Sequence, residues 1–171
     1  YSRIGSGSVS VRSSSISEDL IGASFAGQYR TELNITGIEN IVSAILRIWA
    51  STFSANVISY RLKNDLLNAP YEMAVLIQKQ LNPNVSGVMF TRNPINGDKR
   101  LIISAAYGLG EGVVTGEVES DHFEVDYDEQ VNNSSLIRAK TQQFTLNPLA
   151  GVEKIQVSRE RVLQPTLSTG Q

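Results

Sequence analysis

The chain has 171 residues, 41% of them hydrophobic and 19% charged, which is enough apolar material for a substantial core and lacks the charge excess of a disordered segment. Its 15 basic and 17 acidic residues give a formal net charge of -2, and the basic ones are scattered rather than striped, so the composition carries no footprint for nucleic acid. The absence of cysteine removes disulfide frameworks and thiolate zinc sites, and the longest apolar helical stretch, around Ile41 to Ala50, contains Arg47 and is too short to cross a bilayer.

In chain order, Val9 and Val11 alternate with Ser8 and Ser10, the period-2 pattern of a short strand that delivers Arg12 to its end. A stretch rich in hydroxyls and glycines follows, from Ser13-Ser14-Ser15 through Gly22 to Gly27. A guanidinium fork, short hydroxyl donors and glycines that permit close backbone approach are the parts of a phosphate-handling loop. The same composition also describes a plain loop. From Gly37 to Phe53, the residues Ile38, Ile41, Val42, Ile45, Leu46 and Trp49 form one apolar helical stripe that should pack on a sheet, with Thr36 as N-cap and Glu39 completing a capping box. A second helix is expected from Ser54 to Leu66, with Val57, Ile58, Leu62 and Leu66 inward and Arg61 and Lys63 towards solvent.

Met73 to Leu81 reads as a strand covered on both faces, and Val85 to Thr91, across the Asn82-Pro83-Asn84 turn, as its antiparallel hairpin partner. Arg100 to Ala106 adds a further strand, giving a meander with two helices on one face. Gly108, Gly110, Gly112 and Gly116 make a glycine-rich connection around Val113-Val114, followed by a strand from Asp121 to Tyr127. The run from Asp126 to Ser134 is a polar hairpin loop, and Leu136 to Leu146 and Val152 to Val157 are polar-faced strands.

Several ordered blocks carry a family resemblance. They are Arg12-Ser13-Ser14, Glu18-Asp19-Leu20, Ala23-Ser24-Phe25-Ala26-Gly27-Gln28, Phe90-Thr91-Arg92-Asn93-Pro94, Asn96-Gly97-Asp98, Ala105-Ala106-Tyr107-Gly108-Leu109-Gly110-Glu111 and Val113-Val114-Thr115-Gly116. Together they resemble the ATP-binding domain of phosphoenolpyruvate synthases, in the superfamily of pyruvate phosphate dikinases, and rifampicin phosphotransferases share the pattern. Ile21 and Ser120 stand where that family usually has proline. The resemblance implies an α+β fold, a partial ATP-grasp-type domain with a mixed, mostly antiparallel sheet and two packed helices. Residues 8–127 would be the nucleotide-binding core and 128–171 a β-rich extension, all within one fragment of a larger multidomain chain. The family's lysine-bearing glycine segment and its Gln-Ser-Arg-Pro segment are not found in this sequence, and the first residue is Tyr1.

By the same resemblance, Arg12, Gly27, Thr31 and Gln78 match ATP-contact positions, with Ser13 and Arg92 as further candidates. Each has a plainer reading: Arg12 as a surface cation paired with Glu18 or Asp19, Thr31 as a strand former, Gln78 as a structural amide, Arg92 as an interface cation. Gln78 interrupts an apolar strand, where an unpartnered amide would cost roughly 1 to 3 kcal/mol. Glu111 is a candidate partner for Arg12 or Arg92. The Gly108-Leu109-Gly110 run lacks the βαβ frame of a dinucleotide loop. His122, the only histidine, reads as a solvent-facing strand residue, because the relay histidine of such enzymes belongs to a separate domain. Thus no catalytic residue and no metal ligand is expected in this chain. The acidic run 126–129 reads as a solvated turn, and Mg²⁺ ligands are expected outside the chain.

The activity implied for the parent is cytoplasmic, ATP-dependent synthesis of phosphoenolpyruvate from pyruvate and water, through a phosphohistidine on another domain, with no nucleic-acid or membrane partner. The isolated chain is expected to be inactive. A rifampicin-type phosphotransferase and a non-catalytic nucleotide-binding module are the alternatives.

Overall fold

The computed structural model describes all residues except 2, 3, 6, 16–18, 21, 22, 25–29, 69, 127–131 and 169–171, with the backbone alone at 19, 20, 23, 24, 132 and 133. The chain divides into two compact units, Tyr1–Gln80 with Pro148–Gly151, and Leu81–Asn147 with Val152–Gln171. Both are α+β, as the sequence implies.

The first unit contains β1 (Val9–Ser14), the two-residue strands β2 (Asp19–Leu20) and β3 (Ala23–Ser24), β4 (Thr31–Ile35), α1 (Ile38–Ser51), α2 (Ala55–Lys63) and β5 (Ala74–Lys79). Its main sheet has the order β4-β1-β5, antiparallel throughout, with β1 in the centre. Successive side chains of a strand alternate between faces, and here the alternation sorts the sequence cleanly. Val9 and Val11 are buried with Ile41, Ala44 and Ile48 of α1, and Val75, Ile77 and Ile35 pack around them. The other face of the sheet is open at Arg12, Thr31, Leu76 and Gln78 among the described residues.

α1 is apolar over a wider arc than this core uses. Ile41, Ala44 and Ile48 are buried, whereas Ile38, Val42, Leu46 and Trp49, expected to lie in the packing stripe, are exposed. The expected capping box is also absent. Gly37 is the N-cap, at φ 82°, with no side-chain cap; the Thr36 carbonyl accepts from Asn40 Nδ2 instead. α1 ends at Ser51 with Thr52 as its C-cap, and Ser54 caps α2 by accepting from the Val57 N–H. The segment Ile38–Lys63 is apolar enough by composition to cross a membrane, but it is two helices with a break between them. Arg61 corrects a second expectation. It is buried, stacked 3.9 Å over the Tyr71 ring and donating to the Pro70 carbonyl, because its planar guanidinium tolerates burial against an aromatic face.

The second unit contains β6 (Val85–Phe90), β7 (Arg100–Tyr107), α3 (Glu111–Thr115), β8 (Asp121–Asp126), β9 (Asn132–Leu136), β10 (Gln142–Leu146) and β11 (Val152–Gln156). β6-β7-β8-β9 form an antiparallel meander, and β10-β11 a separate hairpin. The expected hairpin between the strands now labelled β5 and β6 does not form: β5 pairs with β1 and β6 with β7. β5 is likewise not covered on both faces, since Ala74, Leu76 and Gln78 are exposed. The Val113-Val114 segment is a short helix, closed by Gly116 in the left-handed region at φ 70°.

Candidate functional site

The open face of the first sheet collects Arg12, Thr31 and Gln78 of the residues that the sequence singles out. Arg12 lies opposite Thr31 on β4 and opposite Leu76 on β5, while Ser10 lies opposite Gln78. Directly opposed residues in an antiparallel pair share a face, so Arg12, Thr31 and Gln78 project to one side, away from α1. All three are exposed, and Ser10 between them is buried. Adjacent strands are about 4.8 Å apart and each residue advances about 3.4 Å, which puts the Cα atoms of Arg12 and Gln78 roughly 8 Å apart on one surface. Among the described residues Arg12 joins no ion pair. The arrangement is a cation, a hydroxyl and an amide displayed on the face of a sheet whose reverse side is anchored by the core.

Gln78 was expected in a desolvated strand, and its exposure removes the desolvation argument: an exposed amide costs nothing to leave bonded to water. Ser13 lies opposite Val75, on the helix side of the sheet, so the alternation separates it from Arg12. Gly27 lies outside the described residues, as do Glu18 and the side chain of Asp19. On the α1 side, Glu32 accepts from Arg47 Nε at 2.7 Å and meets Arg30 at 2.9 Å. The hydrogen bond and charge of Arg47, reinforced by Arg30, hold the Glu32 carboxyl below its ordinary range against the opposing effect of burial.

In the second unit Arg92 closes its own turn by donating to the Gly97 carbonyl at 3.2 Å, while Asn93 Oδ1 accepts from the Ile95 N–H. Among the described residues Glu111 takes part in no ion pair; it occupies the first turn of α3. His122 is exposed on β8, with Nδ1 2.9 Å from Ser104 Oγ of the neighbouring strand. The glycines of the Gly108–Gly112 run serve packing. A Cβ on Gly108 would fall 2.1 Å from the Phe144 carbonyl oxygen, and one on Gly112 2.8 Å from both the Phe144 ring and Val118. Among the described residues no group of three or more His, Asp or Glu side chains converges.

One charged cluster has no counterpart in the sequence reading. Asp121 and Lys140 are fully buried and paired at 2.6 Å. Asp121 Oδ1 also accepts from the Arg138 N–H, and its Oδ2 from the N–H and hydroxyl of Thr166. Lys140 donates to the Arg138 carbonyl. Burial pushes the Asp121 carboxyl up, but these donors outweigh it and hold it below the ordinary aspartate range. Beside it the Tyr107 hydroxyl donates to the carbonyls of Arg161 and Gln164, and the Arg161 guanidinium lies 4.0 Å over the Tyr107 ring. The partners come from positions 17 to 45 residues away in the chain. No local pattern marks such a cluster. The one available signal was an isolated lysine in a polar-faced strand region.

A family model for the pyruvate phosphate dikinase AMP/ATP-binding domain matches residues 1–171. The uncharacterized phosphotransferase YvkC of Bacillus subtilis is 51% identical over 120 residues, 70% of this chain and 14% of that protein. A rifampicin phosphotransferase of Streptomyces sviceus is 37% identical over 94% of this chain and 18% of its own length. A probable phosphoenolpyruvate synthase of Archaeoglobus fulgidus is also 37% identical over 94%, and 21% of its own length is covered. The chain thus spans about a fifth or less of the curated relatives it matches. With a match across its full length, the chain belongs to the pyruvate phosphate dikinase AMP/ATP-binding domain family.

Proposed function

We propose that this chain is the ATP-binding portion of a phosphoenolpyruvate synthase-like phosphotransferase and that the open face of β4-β1-β5 is its nucleotide surface. The observation that carries the reading is the common face of Arg12, Thr31 and Gln78. A guanidinium offers phosphate oxygens a permanent charge and paired donors. Thr31 adds a hydroxyl beside it, and Gln78 offers both a donor and an acceptor to a base edge. Gly27 belongs to the same set by resemblance, as a position where backbone approaches phosphate; Ser13 and Arg92 remain peripheral to it.

On this reading the 171 residues are a partial ATP-grasp-type domain within a larger multidomain chain, with 8–127 as the nucleotide core and 128–171 as its extension. The parent acts in the cytoplasm. It passes the β-phosphate of ATP to a histidine on another domain and then to pyruvate, while the γ-phosphate goes to water, so that ATP, pyruvate and water give phosphoenolpyruvate, AMP and phosphate. The magnesium ligands and the relay histidine lie outside these residues. The near-equal similarity to a rifampicin phosphotransferase supports a second acceptor, the antibiotic. A nucleotide-binding module without catalysis is the third reading.

Phosphoryl transfer depends on positioning and charge neutralisation. Arg12→Ala in the parent polypeptide is therefore expected to abolish ATP-dependent labelling of the histidine, while the melting temperature stays within about 2 °C, the scale of exposed-surface changes. Labelling at the wild-type rate would remove Arg12 from the site.

A further inference from the structure

α1 presents three faces rather than two. Its buried residues Ile41, Ala44 and Ile48 occupy one arc, and the exposed polar residues Glu39, Asn40, Ser43 and Arg47 occupy a second. Between them runs a stripe of Ile38, Val42, Leu46 and Trp49, continued by Phe53 just past the end of the helix, and these five are 48 to 65% exposed. At about 100° per residue the middle of this stripe lies roughly 120° around the helix from the middle of the buried arc, where a surface helix ordinarily carries polar side chains. Two members of the stripe are held in place. Trp49 Nε1 donates to the Met73 carbonyl at 3.0 Å, and the Phe53 ring stacks on Tyr71 with centroids 5.1 Å apart. Fixed aromatic rings are the usual anchors of a packed interface.

We propose that this stripe is the seat of an amphipathic helix supplied by the parent polypeptide from outside these 171 residues. From Ile38 to Phe53 it runs about 22 Å along the helix axis and is one side chain wide, the shape of a helix-on-helix contact. Five side chains are far fewer than the roughly 20 to 30 residues a side that join separate molecules stably, which disfavours a second copy. A tethered partner acts at about millimolar effective concentration and needs less contact. The relatives described above have the length for such a tether, since this chain spans 14 to 21% of them. A lipid surface is disfavoured by charge. A helix lying on a membrane carries several lysines and arginines along its polar face, whereas α1 has Arg47 alone, paired with Glu32. The inference rests on the chain being part of a longer polypeptide and not on the nucleotide face, which lies on the other side of the sheet.

The test is thiol labelling of the parent polypeptide, with any cysteines of its own replaced by serine. Val42→Cys and Leu46→Cys each place a thiol in the stripe, and Ser43→Cys places one on the polar face. Under native conditions a maleimide should label both stripe positions at least about tenfold more slowly than Ser43→Cys, because reaction there waits on local opening. After denaturation all three should react alike. A photo-crosslinking residue in place of Val42 should then join the stripe to a helix beyond the 171 residues of the same molecule. Equal native labelling at the three positions overturns the proposal. So does a cross-link to a second copy, to a phosphatidylglycerol vesicle, or to another position within the 171 residues. Adding Arg12→Ala should leave the labelling rates unchanged, so failure of the nucleotide reading is seen separately, in ATP binding.

Discussion

Two residues, Arg12 and Asp121, show how differently a charge can be used in this chain. Arg12 stands exposed on a strand, so on the proposed function its removal would be felt by the nucleotide and hardly by the fold. Asp121 is fully buried and bonded to Lys140, Arg138 and Thr166, so its removal strands a buried ammonium group. Asp121→Ala should therefore cost about 3 to 5 kcal/mol, the usual result of breaking one side of a buried pair, measurable as a lowered denaturant midpoint. The carboxyl is held below its ordinary value of 3.8, which fixes the sign of the pH effect. The contribution of Asp121 is complete above the unfolded-state range near pH 4 and is lost as pH falls through the depressed folded value. Chemical denaturation between pH 2 and 6 should show this acid limb in the wild type and its reduction in Asp121→Asn. An identical acid limb in both would mean that other carboxylates govern it.

Among the elements, α1 illustrates what periodicity can and cannot tell. The 3.6-residue pattern located the helix within two residues at each end, Gly37 to Phe53 against Ile38–Ser51, but gave a stripe too wide to say which part faces the sheet. Ile48, which lies outside the expected stripe, is buried, and Leu46, which lies within it, is 56% exposed, since residues two apart on a helix point to opposite sides. Ile48→Ala should accordingly cost about 2 to 4 kcal/mol and Leu46→Ala less than about 1 kcal/mol; comparable losses in thermal melts would show that the packed face is misassigned. Most strands were equally legible, β4 (Thr31–Ile35) and β9 (Asn132–Leu136) excepted, whereas strand partners were not. β5 and β6 are separated by a short turn segment that suggests a hairpin, yet β1 takes the pairing edge of β5, and no local signal reports a partner more than sixty residues earlier in the chain. The glycines behave similarly. Their spacing suggested a turn, and the structure gives the reason as close approach to Phe144. Gly112→Ala should destabilise the second unit by about 1 to 3 kcal/mol through overpacking, read as a loss of amide protection in α3 and β10 by hydrogen exchange.

For the whole molecule, the family was legible because its motifs are contiguous blocks, whereas the candidate site was drawn from that resemblance alone. Composition and alternation located a strand bearing Arg12 but contained nothing to join it to Thr31 and Gln78, which sheet pairing brings to one face. The Asp121 cluster was not legible at all, since Asp121, Arg138, Lys140 and Thr166 meet there from three stretches of chain. The chain covers at most 21% of the relatives described above, so the expected behaviour of these 171 residues alone is weak nucleotide binding without turnover. The most direct test of the central claim is calorimetric titration of the chain and of Arg12→Ala with Mg-ATP. The account predicts weak, saturable binding to the wild type and at least about a tenfold loss in the variant, in line with the roughly 1.5 to 3 kcal/mol of a hydrogen bond to a charged group. Equal affinity for both proteins, or no binding to the wild type, would contradict it.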